Sequence, residues 1–162
     1  MKKKTLLVGI FAMAVSALTA QSTFAYGVGP GYPETESISE EETLKEEIWY
    51  DELSLLAQIV EAESGNQDLT GKRLVVDVVL NRVDSPRFPN TITEVIYQRR
   101  QFSCLNDGNF EKAGNHISDE SFEAVRMEVF GENRIDSGIV FFSGKPVNGR
   151  NHWKYQDHWF SY

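Results

Sequence analysis

Residues 53–83 read LSLLAQIVEAESGNQDLTGKRLVVDVVLNRV, two apolar segments separated by the polar break Ser64-Gly65-Asn66-Gln67-Asp68. In the first segment Leu53, Leu56 or Ala57, and Val60 recur at helical spacing, and Leu55, Ile59 and Ala62 widen the stripe. This predicts a helix over about 51–64, stopped by Ser64-Gly65-Asn66. The second segment, Leu74-Val75-Val76-Asp77-Val78-Val79-Leu80, is rich in β-branched residues, so a buried strand is a real alternative. Length favours a helix over about 69–83, with Asp68 or Thr70 as its cap. Apolar almost all round, it is expected to be the buried central element.

Downstream, Asp84-Ser85-Pro86-Arg87-Phe88-Pro89-Asn90 reads as a loop held by two prolines. Thr91-Ile92-Thr93-Glu94 fits a capping box and opens a short helix to about residue 98. Residues 99–117 read as irregular, with turn residues at Asn106-Asp107-Gly108-Asn109. Ser118 caps a helix over about 119–130, with Phe122, Val125 and Val129 as its stripe and Gly131 as its end. Gly138-Ile139-Val140-Phe141-Phe142-Ser143 reads as a strand, and a second short one is expected at 152–155. Helices first and a small sheet late make an α+β domain.

Upstream, Lys2-Lys3-Lys4, an apolar run from Leu6 to Ala20 and the small-residue site Thr23-Phe24-Ala25 form a secretory signal over 1–25. The run is short for a membrane span, so no stable membrane insertion is expected after cleavage. Residues 26–48 open on Gly and Pro and pass into an acidic stretch, which reads as a disordered linker before a domain at 49–162. The whole chain of 162 residues carries 24 acidic against 16 basic residues. Nine of those acids fall between Glu34 and Glu52, beside one lysine, so the imbalance is local. No basic face argues for nucleic acid. A single cysteine, Cys104, makes no internal disulfide, and the domain depends on its apolar core.

Glu63 ends the first helix and faces the negative end of its dipole, which disfavours the ionised form. Held in a cleft, such a carboxyl can deliver a proton to a glycosidic oxygen; on a surface it is an ordinary helix-end glutamate, and position alone leaves both readings open. Glu61, two residues back, points to nearly the opposite side. Asp77, Glu94, Asp107 and Asp157 approach Glu63 only through the fold. Asp77 reads as structural, with Arg73 at i−4 as its expected partner. Cys104 and His116 lack the surroundings of a cysteine peptidase, and a free, partly buried thiol is expected. His116, His152 and His158 lack metal-ligand spacing, so no metal or other cofactor is expected. Trp153, Tyr155, Trp159, Phe160 and Tyr162 around the last two histidines form either a packed end of the domain or a sugar-binding wall.

Ala62-Glu63-Ser64-Gly65-Asn66, Gly71, Leu80-Asn81-Arg82-Val83, Ser85-Pro86-Arg87-Phe88-Pro89-Asn90-Thr91-Ile92, Val95-Ile96-Tyr97-Gln98 and Gln101-Phe102-Ser103 occur in an order and spacing that resembles the SleB/CwlJ-type cell wall hydrolase family. The end, Gly138 to Phe142 and Asp157-His158-Trp159-Phe160, is similar to that family's closing strand. The resemblance runs over about 53–162. It implies a lysozyme-like, mainly helical fold with a small antiparallel sheet, and a catalytic glutamate at the end of the first helix. Counting back from Gly71 places that glutamate on Glu63. The chain departs from the family at Asn66-Gln67-Asp68, which puts the cleft's shape in question.

The resemblance further implies an enzyme that cleaves the MurNAc–GlcNAc strands of peptidoglycan as a lytic transglycosylase, located in the cell wall or in the spore cortex or coat, with a role in cortex lysis during germination; with the signal at 1–25, a secreted chain is expected, and a monomer. A hydrolytic muramidase and a non-catalytic wall-binding or spore-coat protein are the alternatives. Asn81, Gln101, Ser103 and His158 are the candidate substrate-binding residues, although Asn81 is better suited to capping backbone groups. Gln101 and Ser103 suit N-acetyl groups with Phe102 packed beneath, and Tyr97 and Phe142 read as core.

Overall fold

The computed structural model describes residues 39–149 and 151–162. The signal expected at 1–25, and the linker as far as residue 38, lie outside the described residues. Helices α1 (Glu40–Ser64), α2 (Leu69–Asp84), α3 (Ile92–Ile96), α4 (Cys104–Asp107), α5 (Asn109–Gly114) and α6 (Asp119–Phe130) precede strands β1 (Phe141–Ser143), β2 (His152–Tyr155) and β3 (His158–Ser161). Among the described residues no helix is long and apolar enough to cross a membrane.

Helix α1 begins well before the expected residue 51. The Ser39 hydroxyl caps the Glu42 N–H, and the Glu42 carboxylate accepts from the Ser39 N–H, closing a capping box inside the acidic stretch. Glu40, Glu41 and Glu42 occupy the first turn, where the helix dipole favours negative charge. Residues 40–48 are therefore helical, where composition points to a disordered linker, and they remain exposed because charges dominate them.

Helix α2 is a helix and not the alternative strand. Asp68 caps it by accepting from the Gly71 N–H, and eleven of its residues are buried. Helical periodicity lets it serve two cores at once. Val75, Val76, Val79 and Leu80 pack into the cluster shared with Leu56, Ile59 and Val60 of α1, Val95 of α3 and Val125 of α6. Leu74 and Val78 face Ile139 and Phe160 on the sheet side.

The stretch 99–117 expected as irregular contains α4 and α5, joined through Gly108, whose φ of 79° is left-handed. On α6 the buried face is Ser121, Ala124, Val125 and Glu128. Phe122, assigned to the stripe from spacing, is 45% exposed, so the buried face is rotated toward smaller and polar residues that fit closely against α2. Tyr97, read as core, is also exposed at 57%.

The sheet is antiparallel in the order β1-β3-β2. Phe142 pairs with Phe160, and Phe160 with Trp153, so β3 holds the centre. This strand carries Phe160 of the aromatic end into the core, with Trp153 and Tyr155 packed partly buried against it, while Tyr162 stays exposed. Phe160 is fully buried and its ring lies 5.2 Å from that of Trp153.

Polar groups, some of them buried, connect the layers. The Glu61 carboxylate accepts from the Ser118 N–H, the Ser118 hydroxyl and the Ser121 hydroxyl, fastening α1 to the start of α6. Burial raises the pKa of Glu61, but these hydrogen bonds and the charge of Lys72 outweigh it and hold the group below its ordinary value. Lys72, 2% exposed, reaches Glu120 and Ser118 at 2.9 and 3.2 Å. The buried Arg82 donates to the Val140 carbonyl and lies against the rings of Phe88, Phe102 and Phe141.

Candidate functional site

The polar break between α1 and α2 is fastened to the turn between β2 and β3. Asn66 donates to the Asp157 carboxylate at 3.0 Å, the Gln67 amide meets His158 Nδ1 at 2.9 Å, and the Asp68 N–H donates to the Gln156 side chain at 3.3 Å. The Tyr155 hydroxyl donates to the Asp68 carboxylate at 3.0 Å. Asn66, Gln67 and Asp68, where the chain departs from the family it resembles, thus each take a partner from the hairpin. Gly71 makes the fit possible, since a Cβ there would collide with the Gln67 side chain.

Glu63 stands in the last turn of α1, on the side opposite Glu61, and lines a cleft of about 480 Å³. Across the cleft lie Gln101, Phe102 and Ser103 from the segment before α4, Phe142 and Ser143 from β1, and His158 from β3. The Cys104 N–H donates to Glu63 Oε1 at 3.4 Å, so the α1 end and the α4 start meet at this carboxyl. Burial, a hydrogen bond to Glu63 and the charges of Glu63 and Asp107 push the Cys104 thiol pKa up, and it stays protonated. Cys104 is free, as expected, and buried more fully than the partial burial expected.

His158 is 8% exposed, with its ring 4.8 Å from that of Phe142. The Gln67 NH₂ donates and Nδ1 accepts, so the neutral ring keeps its proton on Nε2. Burial lowers the pKa of His158, against the opposing charge of Asp157, which favours this neutral donor form. Replacing Gln67 with Leu leaves Nδ1 unpaired in a buried place. We expect a loss of about 1–3 kcal/mol in urea unfolding, and an unchanged midpoint would show that the amide does not hold the ring.

The candidates divide cleanly. Glu63, Gln101, Ser103 and His158 come together around one cleft. Asn81 does not reach it. Its Nδ2 donates to the Asp136 and Ile139 carbonyls, both at 2.8 Å, and its Oδ1 accepts from Arg134. It satisfies backbone carbonyls, as expected, in the remote segment leading to β1, and it does not line the cleft. Asp77 is not paired with Arg73, which bonds Glu128 instead; Asp77 accepts from the Asp136 N–H. Trp153 and Trp159 do not line the cleft, while Phe142, read as core, both packs and lines it. Arg100, before α4, and Asn106, within it, also line the cleft and were missed, because only the fold brings these positions opposite α1.

Among the described residues, Glu63 is the one carboxylate lining this cleft, and no group of three or more His, Cys, Asp and Glu side chains is arranged to hold a metal. The site therefore combines one acid with amide, hydroxyl and imidazole donors against aromatic faces, an arrangement suited to a polar ring-shaped ligand.

The family model described as Cell Wall Hydrolase matches residues 66–160. The spore cortex-lytic enzyme of Bacillus cereus is 28% identical over 102 residues, covering 63% of this chain and 38% of that protein. The spore cortex-lytic enzyme of Bacillus subtilis is 29% identical over 102 residues, covering 63% and 32%. The chain thus spans about a third of the length of these curated relatives. The crystal structure of the catalytic domain of the Bacillus cereus SleB protein aligns with a TM-score of 0.60 at 24% identity, over 70% of this chain and 91% of that one. The catalytic domain of the germination-specific lytic transglycosylase SleB from Bacillus anthracis aligns at 0.58 and 22%, over 83% and 100%. These likenesses show the fold, the mainly helical α+β arrangement with a small antiparallel sheet.

Proposed function

The chain belongs to the cell wall hydrolase family, and from that premise we propose that it is an enzyme cleaving the MurNAc–GlcNAc backbone of peptidoglycan as a lytic transglycosylase, with Glu63 as general acid and then general base. The observation that carries this reading is the solitary carboxylate of the cleft. The usual glycosidase scheme needs two carboxyls, about 5–5.5 Å apart for retention and about 6.5–9.5 Å apart for inversion. A lone acid suits a reaction in which the substrate supplies the second group.

Protonated Glu63 gives its proton to the glycosidic oxygen as the bond after muramic acid breaks. The neighbouring N-acetyl oxygen of the sugar stabilises the cation that develops at C1. Glu63, now ionised, takes the proton of the C6 hydroxyl, whose oxygen closes on C1 to form a 1,6-anhydro ring. The proton returns to Glu63, and no water is consumed. Gln101, Ser103 and His158 hold N-acetyl and hydroxyl groups during these steps, a reading supported by their lining the same cleft as Glu63. The family and its cortex-lytic relatives support action in the cell wall or spore cortex, and the basic, apolar and small-residue pattern of residues 1–25 supports export.

Digestion of purified peptidoglycan by the full chain, followed by mass spectrometry, tests this. Fragments ending in 1,6-anhydromuramic acid are expected. Reducing ends would replace the transglycosylase with a hydrolytic muramidase, and tight sedimentation with no soluble fragments would point to a wall-binding or spore-coat protein.

A further inference from the structure

His158 is engaged on one side of its ring. Nδ1 meets the Gln67 amide at 2.9 Å, while among the described residues no hydrogen bond reaches Nε2. The ring lines the cleft of Glu63, so Nε2 is the nitrogen left for a ligand. Gln67, 4% exposed, is buried more deeply than the histidine it holds. Its Oε1 has no partner and rests against Gly71. A buried amide with an unpaired oxygen costs stability, so packing alone does not account for it; its NH₂ on Nδ1 does.

Charged groups stand around the ring, but none is its direct partner. The Asp157 carboxylate, next to it in the chain, is taken up by Asn66 at 3.0 Å. Tyr155, opposite His158 on β2, donates to Asp68. Across the cleft are Glu63 of α1 and Arg100, at a left-handed φ of 63° before α4. β1 contributes Phe142 and Ser143, neither of them charged. Resting on the glycosidase reading, we propose that Gln67 is a positioning residue that fixes His158 as an uncharged Nε2–H donor to an acyl or hydroxyl oxygen of the glycan, so that the cleft binds its substrate evenly on both sides of neutral pH.

The partner of Nδ1 decides what Nε2 offers. With the amide NH₂ on Nδ1, the proton of the neutral ring sits on Nε2, and a second proton taken up in acid leaves it there. A carboxylate at position 67 accepts from Nδ1–H instead, and the neutral ring then shows the cleft a bare Nε2 that cannot donate. Nε2 carries a proton in that pair only while the pair holds one more, which the carboxylate favours at lower pH. Gln67→Glu therefore converts a lasting donor into one that is lost as pH rises.

Affinity for soluble peptidoglycan strands is measured by calorimetry from pH 6 to 9. The full chain carries Glu63→Gln, so that nothing turns over and the cleft carboxyl does not titrate, with and without Gln67→Glu. Without Gln67→Glu the affinity is expected to stay level. With it, affinity should match at pH 6 and weaken about tenfold by pH 9. A loss equal at every pH, no loss, or no binding by either chain overturns the proposal. Nitrogen NMR of the chain that keeps Gln67 makes the test independent of how the variant folds. At pH 7.5 the His158 proton is expected on Nε2, and finding it on Nδ1 overturns the proposal. Fragment release with Glu63 intact separates the two readings. The expected pH-dependent binding with no release at any pH would sink the glycosidase reading alone. Release, with an effect of Gln67→Glu on binding that does not change with pH, would sink this one alone.

Discussion

Glu63→Gln is expected to leave the fold intact and to reduce release of soluble fragments from peptidoglycan by about a thousandfold or more, the scale of losing a positioned general acid and base. The amide has nearly the shape of the carboxyl and still accepts from the Cys104 N–H, so the junction of α1 and α4 is kept. What it cannot do is give up a proton to the leaving oxygen or take one from the C6 hydroxyl. Binding of glycan strands should survive, because Gln101, Ser103 and His158 are untouched. The measurement is fragment release beside circular dichroism and strand affinity. Activity within tenfold of the original chain would remove Glu63 from the chemistry. Glu61→Gln is the contrasting variant. Its carboxylate is engaged by Ser118 and Ser121, so its loss should show in unfolding and not in the chemical step.

That contrast shows how far one sequence could be read. Two glutamates two positions apart face opposite sides of a helix by geometry alone, and the structure puts one on the cleft and the other on α6. Periodicity placed α2 and α6 closely, since a helix with a capped start and a buried stripe declares itself locally. It failed where the deciding interaction is remote or the local signal was outweighed. The Ser39-to-Glu42 capping box lay in plain view, but the surrounding acids argued for a linker. Phe122 fitted a stripe by spacing, yet the buried side of α6 is chosen by what α2 presents to it, including Arg73 opposite Glu128.

The cleft followed the same rule. Glu63, Gln101, Ser103 and His158 are polar residues within recognisable motifs, and they converge. Asn81 belongs to such a motif too, but its amide is consumed by three backbone and side-chain partners far along the chain. Gln67 was only part of a departure from the family pattern, until its contact with a histidine 91 positions later gave it a task. Arg100 carried no signal, because a left-handed φ is invisible in the residue name.

Asp77→Asn is expected to make the chain more stable at pH 8 by several kcal/mol while changing little at pH 4. Asp77 is fully buried in α2 and faces Glu128 of α6, with Arg73, Arg134 and the Asp136 N–H around the pair. Glu128 Oε1 is taken by Arg73 and Asp77 Oδ2 by the Asp136 N–H, which leaves Asp77 Oδ1 and Glu128 Oε2 without other partners. Burial first, and then the hydrogen bond and charge of Glu128, push the Asp77 pKa up from 3.8 to about 8, against the Asp136 N–H and Arg134. The acid therefore keeps its proton at neutral pH and donates it to Glu128. The folded chain holds a proton that the unfolded chain has released over roughly pH 4 to 8, so stability falls as pH rises through that window, by up to about 1.4 kcal/mol per unit. Asparagine reproduces the protonated acid, with an NH₂ for Glu128 and a carbonyl for the Asp136 N–H, and has nothing to release. Urea unfolding of both chains at each pH unit from 4 to 9 reads the difference, which should grow to about pH 8 and then level. A difference that stays flat across that range would mean that no proton is held between the two acids.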